Sequence, residues 1–292
     1  MDFYSIADLK LKMNFFGNII KKRSQKYILT EKISKPQISI ETFKKDNLVI
    51  YGDILFQTSQ KCVSIENNLR ILSSIEDGKI IRQIISNEQM TDIQIFYSGL
   101  FRKYPQLTLD ELELSDTSSV FSNALLEFSG FCIHSSGIMF QKKAFLFSGP
   151  SGTGKTTHTK LWQQHFGKDS VQIINDDRPA VRKAKDCFLA YGTPWSGTSP
   201  VNINVSAQLG AIIFLKQGIT NRIRSLSVKE ALKWLIYQAT FSQRNPKKCE
   251  KAIALLENII NEVPLYELTC TISEQAVETV YKKLKEDHIL CE

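Results

Sequence analysis

The chain has 292 residues, 42% hydrophobic and 23% charged, with a net charge of +7. That composition supports a sizeable core in one large or two modest domains and excludes a disordered or low-complexity chain. The positive balance biases the surface toward anionic ligands, but the basic residues are scattered, with short runs only at residues 21–23 and 247–248, so no nucleic-acid-binding stripe is expected.

No apolar run approaches the length of a membrane span. Asp2 and Asp8 stand where a signal peptide would be apolar, so a mature, cytoplasmic protein without membrane attachment is expected. Six cysteines lie far apart without a CxxC pair, and the four histidines complete no zinc-ligand spacing. Reduced thiols are the expectation.

In chain order, the first hundred residues read as short β segments and turns, with QISIET, NLVIYGDILF and TDIQIFYSG carrying β-branched and aromatic character. YPQLTLDELELSDTSS reads as a connection. SVFSNALLEFSGF has a weak helical face at Val120, Leu125 and Phe128. A boundary near Ser115 divides a β-rich α+β region, 1–115, from a second domain, 116–292.

In the second domain, FCIHSSGIMF and KAFLFSG read as two strands joined by a QKK turn, followed by a helix from about Lys155 with Leu161 and Trp162. SVQIIND and LGAIIFLK read as buried strands, RPAVRKAKDCFLAYG as a hairpin, and PLYELTC as one more strand. Three helices close the chain. Ser227 and Glu230 form a capping box, Asn245 and Pro246 occupy N-cap and first-turn positions, and Ser273 precedes a helix burying Val277, Val280, Tyr281 and Leu284. The alternation predicts an α/β domain with a mixed sheet and flanking helices.

Residues 149–156, GPSGTGKT, fit G-x-x-x-x-G-K-[ST] at every fixed position, with a strand before and a helix after. A phosphate chain needs many donors close together. Gly149, Gly152 and Gly154 let the backbone wrap tightly, and Ser151 and Thr153 lie in the same loop. The helix start adds free N–H groups and a positive dipole end. Lys155 can reach the β- and γ-phosphates, the Thr156 hydroxyl can take a Mg²⁺ position, and Thr157 adds a second hydroxyl. ATP with Mg²⁺ is the expected ligand pair.

The strand VQII ends in Asn175, Asp176 and Asp177. A carboxylate at a strand's C-terminal edge beside such a loop can hold the metal, and a second can accept a proton from an attacking hydroxyl. Asp176 is expected at the metal and Asp177 as the base. Alternating strand geometry requires the strand to have ended before both can face one site. The bland alternative is an exposed NDD turn.

These residues resemble the HPr kinase/phosphorylase and phosphoenolpyruvate carboxykinase superfamily. GPSGTGKTT is similar to the carboxykinase loop, and IINDD to the double-aspartate motif of both families. His134 lies 15 positions ahead of Gly149, the spacing of a histidine in HPr kinases, and VNINVSAQLGAIIFL is similar to the stretch that follows the aspartates there. The resemblance spans residues 131–215, and the layout looks like the HPr-kinase-like proteins of bacterial peptide-modification clusters. Within it the stretch AYGTPWSGTSPVNINV departs from the pattern, with neither the acidic residue nor the arginine of HPr kinases. It implies an ATP-dependent kinase acting on a hydroxyl, with serine of a peptide or protein as the favoured acceptor. The same family includes ring assemblies, which admits a homo-oligomer. A small-molecule kinase and a non-catalytic nucleotide-binding regulatory module are the alternatives.

His134 could pair with Asp176 or Asp177, or be a satisfied core histidine. His158 and His165 read as packing or surface residues on the loop's helix. GTPWSG, residues 192–197, could line an acceptor pocket or pack through Trp195, and Arg244 could reach the γ-phosphate or merely flank a helix.

Overall fold

The computed structural model describes residues 2–31, 33–99, 108–197, 200–242 and 245–290. It divides into two compact units, Met1–Glu127 and Phe128–Glu292. Both are mixed α/β, each built on a large mixed sheet.

In the first unit, nine strands form one sheet: β1 (Asp2–Ile6), β2 (Leu9–Asn14), β3 (Ile28–Leu29), β4 (Ile38–Lys44), β5 (Asp53–Gln57), β6 (Lys61–Glu66), β7 (Leu69–Glu76), β8 (Lys79–Ser86) and β9 (Asp92–Tyr97). Their order is β3-β1-β2-β4-β9-β8-β7-β6-β5. The pairs β2–β4 and β4–β9 are parallel. Alternation along β2 and β4 buries Leu9, Leu11, Met13, Ile38 and Ile40 on one face. The helices are α1 (Asn18–Ser24) and α2 (Leu109–Leu125).

The stretch expected as a connection before Ser115 is largely α2, and the expected boundary falls inside that helix. Thr108 and Glu111 form a reciprocal capping box at its start. Hydrophobic periodicity reads only its C-terminal half, because the first half of its inner face is largely polar: Glu113, Asp116, Thr117 and Ser118 are buried there. The two acids among them are bonded within the unit rather than solvated. Asp116 accepts from Arg82 at 2.5 Å and from the Tyr97 hydroxyl at 3.1 Å. Glu113 accepts from the N–H groups of Phe16 and Gly17 at 3.0 and 2.8 Å and from the Thr42 hydroxyl. NLVIYGDILF is strand only from Asp53 onward.

The second unit contains β10 (Gly130–Ile133), β11 (Ser135–Phe140), β12 (Lys143–Ser148), α3 (Lys155–Phe166), β13 (Val171–Asn175), β14 (Ala180–Ala184), β15 (Cys187–Tyr191), β16 (Ser206–Gln217), β17 (Arg222–Ser225), α4 (Val228–Gln238), β18 (Ala239–Thr240), α5 (Pro246–Glu262), β19 (Leu265–Cys270) and α6 (Glu274–Glu286). The sheet order is β13-β11-β12-β16-β15-β14-β10-β18, with β19 beside β16 and β17 beside β19. β12, β16 and β19 run parallel, so their C-terminal ends share one edge.

FCIHSSGIMF is two strands, broken at His134. β10 pairs with β14 and β18, whereas β11 pairs with β12 and β13. One stretch cannot serve both sets of neighbours without turning, and it turns at this residue. Gln141 and Lys142 make the β11–β12 turn with φ of 48° and 63°. The capping box at Ser227 and the Asn245 cap with Pro246 in the first turn are present as expected. Ser273 precedes α6 but makes no side-chain cap; its hydroxyl bonds Thr271 and Asn221 instead. Short, largely exposed β17 and two-residue β18 left no alternation to read.

α3 and α6 lie over one face of the sheet. Trp162 is fully buried against Phe140, Phe145 and Phe147, and Val277, Val280 and Leu284 of α6 complete the same core. α4 covers the opposite face, with Trp234 stacked on Phe214 at 5.1 Å. Cys62, Cys132, Cys187, Cys249 and Cys270 are free thiols. No helix among the described residues is long and apolar enough to cross a membrane.

His158, on α3, is 3% exposed, and its Nε2 accepts from Trp162 Nε1 at 3.2 Å. Burial pushes its pKa down to about 4 from an ordinary 6.5. The folded state therefore prefers neutral His158. Its contribution is whole above the unfolded value and is lost as pH falls from about 6.5 toward 4. His158→Gln keeps an acceptor for Trp162 without titrating. Between pH 7 and 4 its unfolding free energy, from urea titrations, is expected to gain about 3 kcal/mol on the wild type; parallel curves would refute this.

Candidate functional site

The site is built where β12 gives way to α3. Gly149 has φ 147°, and a Cβ there would lie 3.0 Å from Thr153 Oγ1 and 3.1 Å from the Leu215 carbonyl oxygen. Gly154 sits at the N-cap of α3 with φ 94°, a conformation L side chains rarely adopt. Between them the loop closes on itself: Thr153 donates from N–H and hydroxyl to the Pro150 carbonyl at 3.3 and 2.8 Å. Gln217, the last residue of β16, donates to the Gly152 carbonyl at 3.0 Å. No side chain caps α3, so its first-turn N–H groups face the loop with the positive end of the helix dipole.

Lys155 is 8% exposed and turns back along the loop. Its Nζ donates to the carbonyls of Gly149 and Pro150 at 2.9 and 3.1 Å. Burial holds its pKa below the ordinary lysine value, opposed by the nearby charge of Asp177. Thr156 is half-buried, and Ser151, Gly152 and Thr157 are exposed at the loop and first turn.

β13 ends at Asn175, so the geometric condition on the two acids is met: Asp176 and Asp177 lie beyond the strand. Asn175 is fully buried. Its Oδ1 accepts from the N–H groups of Asp177 and Arg178 at 2.8 and 2.7 Å. Its Nδ2 donates to the Thr193 carbonyl at 2.9 Å, the Thr193 hydroxyl at 3.2 Å and the Trp195 carbonyl at 3.4 Å. One carboxamide thus ends the strand, shapes the acidic turn and ties it to residues 192–197.

The two acids have different surroundings. Asp176 is 6% exposed, and its Oδ1 accepts from Gly197 N–H at 2.8 Å. Asp177 is partly exposed, 3.4 Å from His134 Nε2 and 3.7 Å from Arg178 Nε. His134 is fixed by the chain break that carries it: its N–H donates to the Gln238 carbonyl at 2.9 Å, and its carbonyl accepts from the Ser148 hydroxyl at 2.8 Å. Burial lowers its pKa, reinforced by the charges of Lys155 and Arg178 and opposed by Asp177. At neutral pH His134 is therefore an uncharged partner of Asp177, beside Lys155.

Trp195 is 1% exposed and Thr193 fully buried, so GTPWSG packs through its aromatic ring; its link to the acids is the Gly197 N–H. His165 pairs with Glu274 at 2.5 Å, away from the acids, and His158 is in the core. Arg244 lies outside the described residues. Arg178 was not singled out in the sequence. It lies next to Asp177 and is held by a 2.6 Å bond from Nη1 to Thr240 Oγ1. Its position directly after the paired acids was the available signal.

Among the described residues no group of three or more histidine, cysteine or acidic side chains could hold a metal. A hydroxyl at Thr156 and carboxylates at Asp176 and Asp177 are hard oxygen donors. They suit Mg²⁺, which takes one or two carboxylates and completes its shell with phosphate and water.

No family model matches the sequence, and no curated protein matches it. Among solved structures, the HPr(Ser) kinase/phosphatase from Coxiella burnetii is similar with a TM-score of 0.31 and 10% identity, over 54% of this chain and 95% of that one. A likeness at that level assigns neither a site nor an activity.

Asn175→Ala strips an acceptor from two N–H groups and a donor from three oxygens. It is expected to lower unfolding free energy by about 2–4 kcal/mol. Urea unfolding checks this, and a loss below about 0.5 kcal/mol would show that the carboxamide does not organise the turn.

Proposed function

We propose that the second unit is an ATP-dependent kinase that transfers the γ-phosphate to a hydroxyl, with serine of a peptide or protein as the favoured acceptor. The observation that carries this reading is the meeting of Asp177, His134 and Lys155 beside the glycine-rich loop of residues 149–156. A nucleotide-binding module that performs no transfer needs no exposed carboxylate beside the lysine.

In this reading the loop N–H groups and the first turn of α3 bind the phosphates. Lys155 exchanges its two loop carbonyls for β- and γ-phosphate oxygens. Mg²⁺, held through Thr156 and Asp176, would neutralise phosphate charge when bound. Asp177 accepts the proton of the acceptor hydroxyl as its oxygen bonds to the γ-phosphorus, and the bond from that phosphorus to the β–γ bridging oxygen breaks, releasing ADP. Neutral His134 orients Asp177. Arg178 adds a second positive charge near the transferring group. Little covalent work falls to the protein; positioning and charge neutralisation carry the rate.

The test is γ-labelled ATP with Mg²⁺, offered to serine-containing peptides and to small hydroxy compounds. The wild type is expected to label a peptide. Asp177→Asn is expected to reduce kcat by about 10²–10⁴-fold with ATP still bound, and Lys155→Ala to weaken nucleotide binding itself. Transfer by Asp177→Asn at the wild-type rate would overturn the base assignment. Label appearing only on the small compounds would favour a small-molecule kinase, and ATP binding with no transfer to any acceptor would overturn the kinase reading.

A further inference from the structure

If residues 149–156 hold a triphosphate, its direction follows from the sheet. Asp177, which follows β13 and whose charge acts on Lys155, marks the γ end on the β11–β13 side of β12. The nucleoside must then leave on the other side, over the C-terminal ends of β16 and β19. Gln217 at the end of β16 already touches the loop at Gly152. Lys216, one residue back and so on the α4 face of the sheet, lines a cleft of about 310 Å³ between α4 and strands β17 and β19, near the same C-terminal edge.

That volume lies at the lower end of the range for small-molecule sites. The cleft's wall is aromatic: Trp234 and Tyr237 lie on one stripe of α4 with Glu230 and Lys233. Trp234 rests on buried Phe214, 13° from coplanar, and Lys216 Nζ stands 5.9 Å from its ring centroid. Arg224 is committed to Glu230 and Glu267 at 2.8 and 2.9 Å, and Lys216 to Glu267 at 2.6 Å. Lys233 has no ionic partner among the described residues. A flat ring supported from beneath, with cations and carboxylates at its rim, suits a planar heterocycle bearing both acceptor nitrogens and donor groups.

We propose that this cleft receives the nucleoside end of the nucleotide, with a purine base stacked on Trp234 and the side chains of Lys216 and Lys233 at its edge. The proposal rests on the nucleotide reading of residues 149–156, and the experiment separates the two. Trp234→Leu keeps an apolar cover on Phe214 and removes the stacking surface. The ligands are MgATP and magnesium tripolyphosphate, which has the phosphates without the base. Binding is measured by calorimetry and by tryptophan emission. Of the three tryptophans, Trp162 and Trp195 are buried, with 0% and 1% exposure, so a stacking base quenches Trp234.

Trp234→Leu is expected to weaken MgATP about tenfold and leave tripolyphosphate within about twofold. Wild-type emission is expected to fall with MgATP and not with tripolyphosphate. Tyr237→Ala, at a rim position 74% exposed, leaves the core untouched and is expected to weaken MgATP about threefold. It decides the matter should Trp234→Leu fail to fold. If Lys155→Ala weakens both ligands while the cleft variants change neither, the loop reading stands and the cleft proposal falls. Failure of both ligands to bind the wild type would overturn both.

Discussion

The arrangement of the second unit depends on how β13 ends. A strand that continued would send Asp176 and Asp177 to opposite faces. The Asn175 carboxamide stops it by accepting two backbone N–H groups from the turn it creates, and its other end holds the carbonyls of Thr193 and Trp195. The carboxamide is fully buried and its donor arm lies in the interior, where an unmade hydrogen bond is costly. Geometry that a solvated NDD turn would sample only in passing is held here as a fixed feature.

Around that turn the charges are arranged in opposition. Lys155 is pulled toward neutrality by burial and held charged by Asp177; His134 is kept neutral by burial and by two cations. In the proposed reading this carboxylate, flanked by a neutral imidazole, Lys155 and Arg178, is the proton acceptor. The rest of the unit serves this placement. The break at His134 moves the chain from β10 to β11 and delivers the imidazole to Asp177, while the aromatic core under α3 anchors the helix whose first turn completes the loop.

Much of this was legible in the sequence, for physical reasons. Glycines at 149, 152 and 154 with Lys155 and Thr156 describe a local backbone shape, and local shape is encoded in short stretches. The Ser227 capping box and the buried strands β12, β13 and β16 are readable on the same grounds. The break at His134 was not, because it arises from which distant strands pair with each half. The packing role of Trp195 and the partners of Arg178 likewise depend on contacts far apart in the chain. In the first unit only the C-terminal part of α2 shows a helical face in the sequence; its first turns bury Glu113, Asp116, Thr117 and Ser118, which a search for hydrophobic periodicity reads as a loop.

The central claim is that the glycine-rich loop holds a phosphate chain whose γ end faces the acidic turn. A crystal structure with Mg²⁺ and a non-hydrolysable β,γ-imido analogue of ATP tests it most directly. The account predicts the phosphates against the N–H groups of residues 149–156, Lys155 Nζ moved from the carbonyls of Gly149 and Pro150 onto phosphate oxygens, and the Asp177 carboxylate facing the γ-phosphorus. An analogue bound elsewhere, or one whose γ-phosphate points away from Asp177, would contradict it.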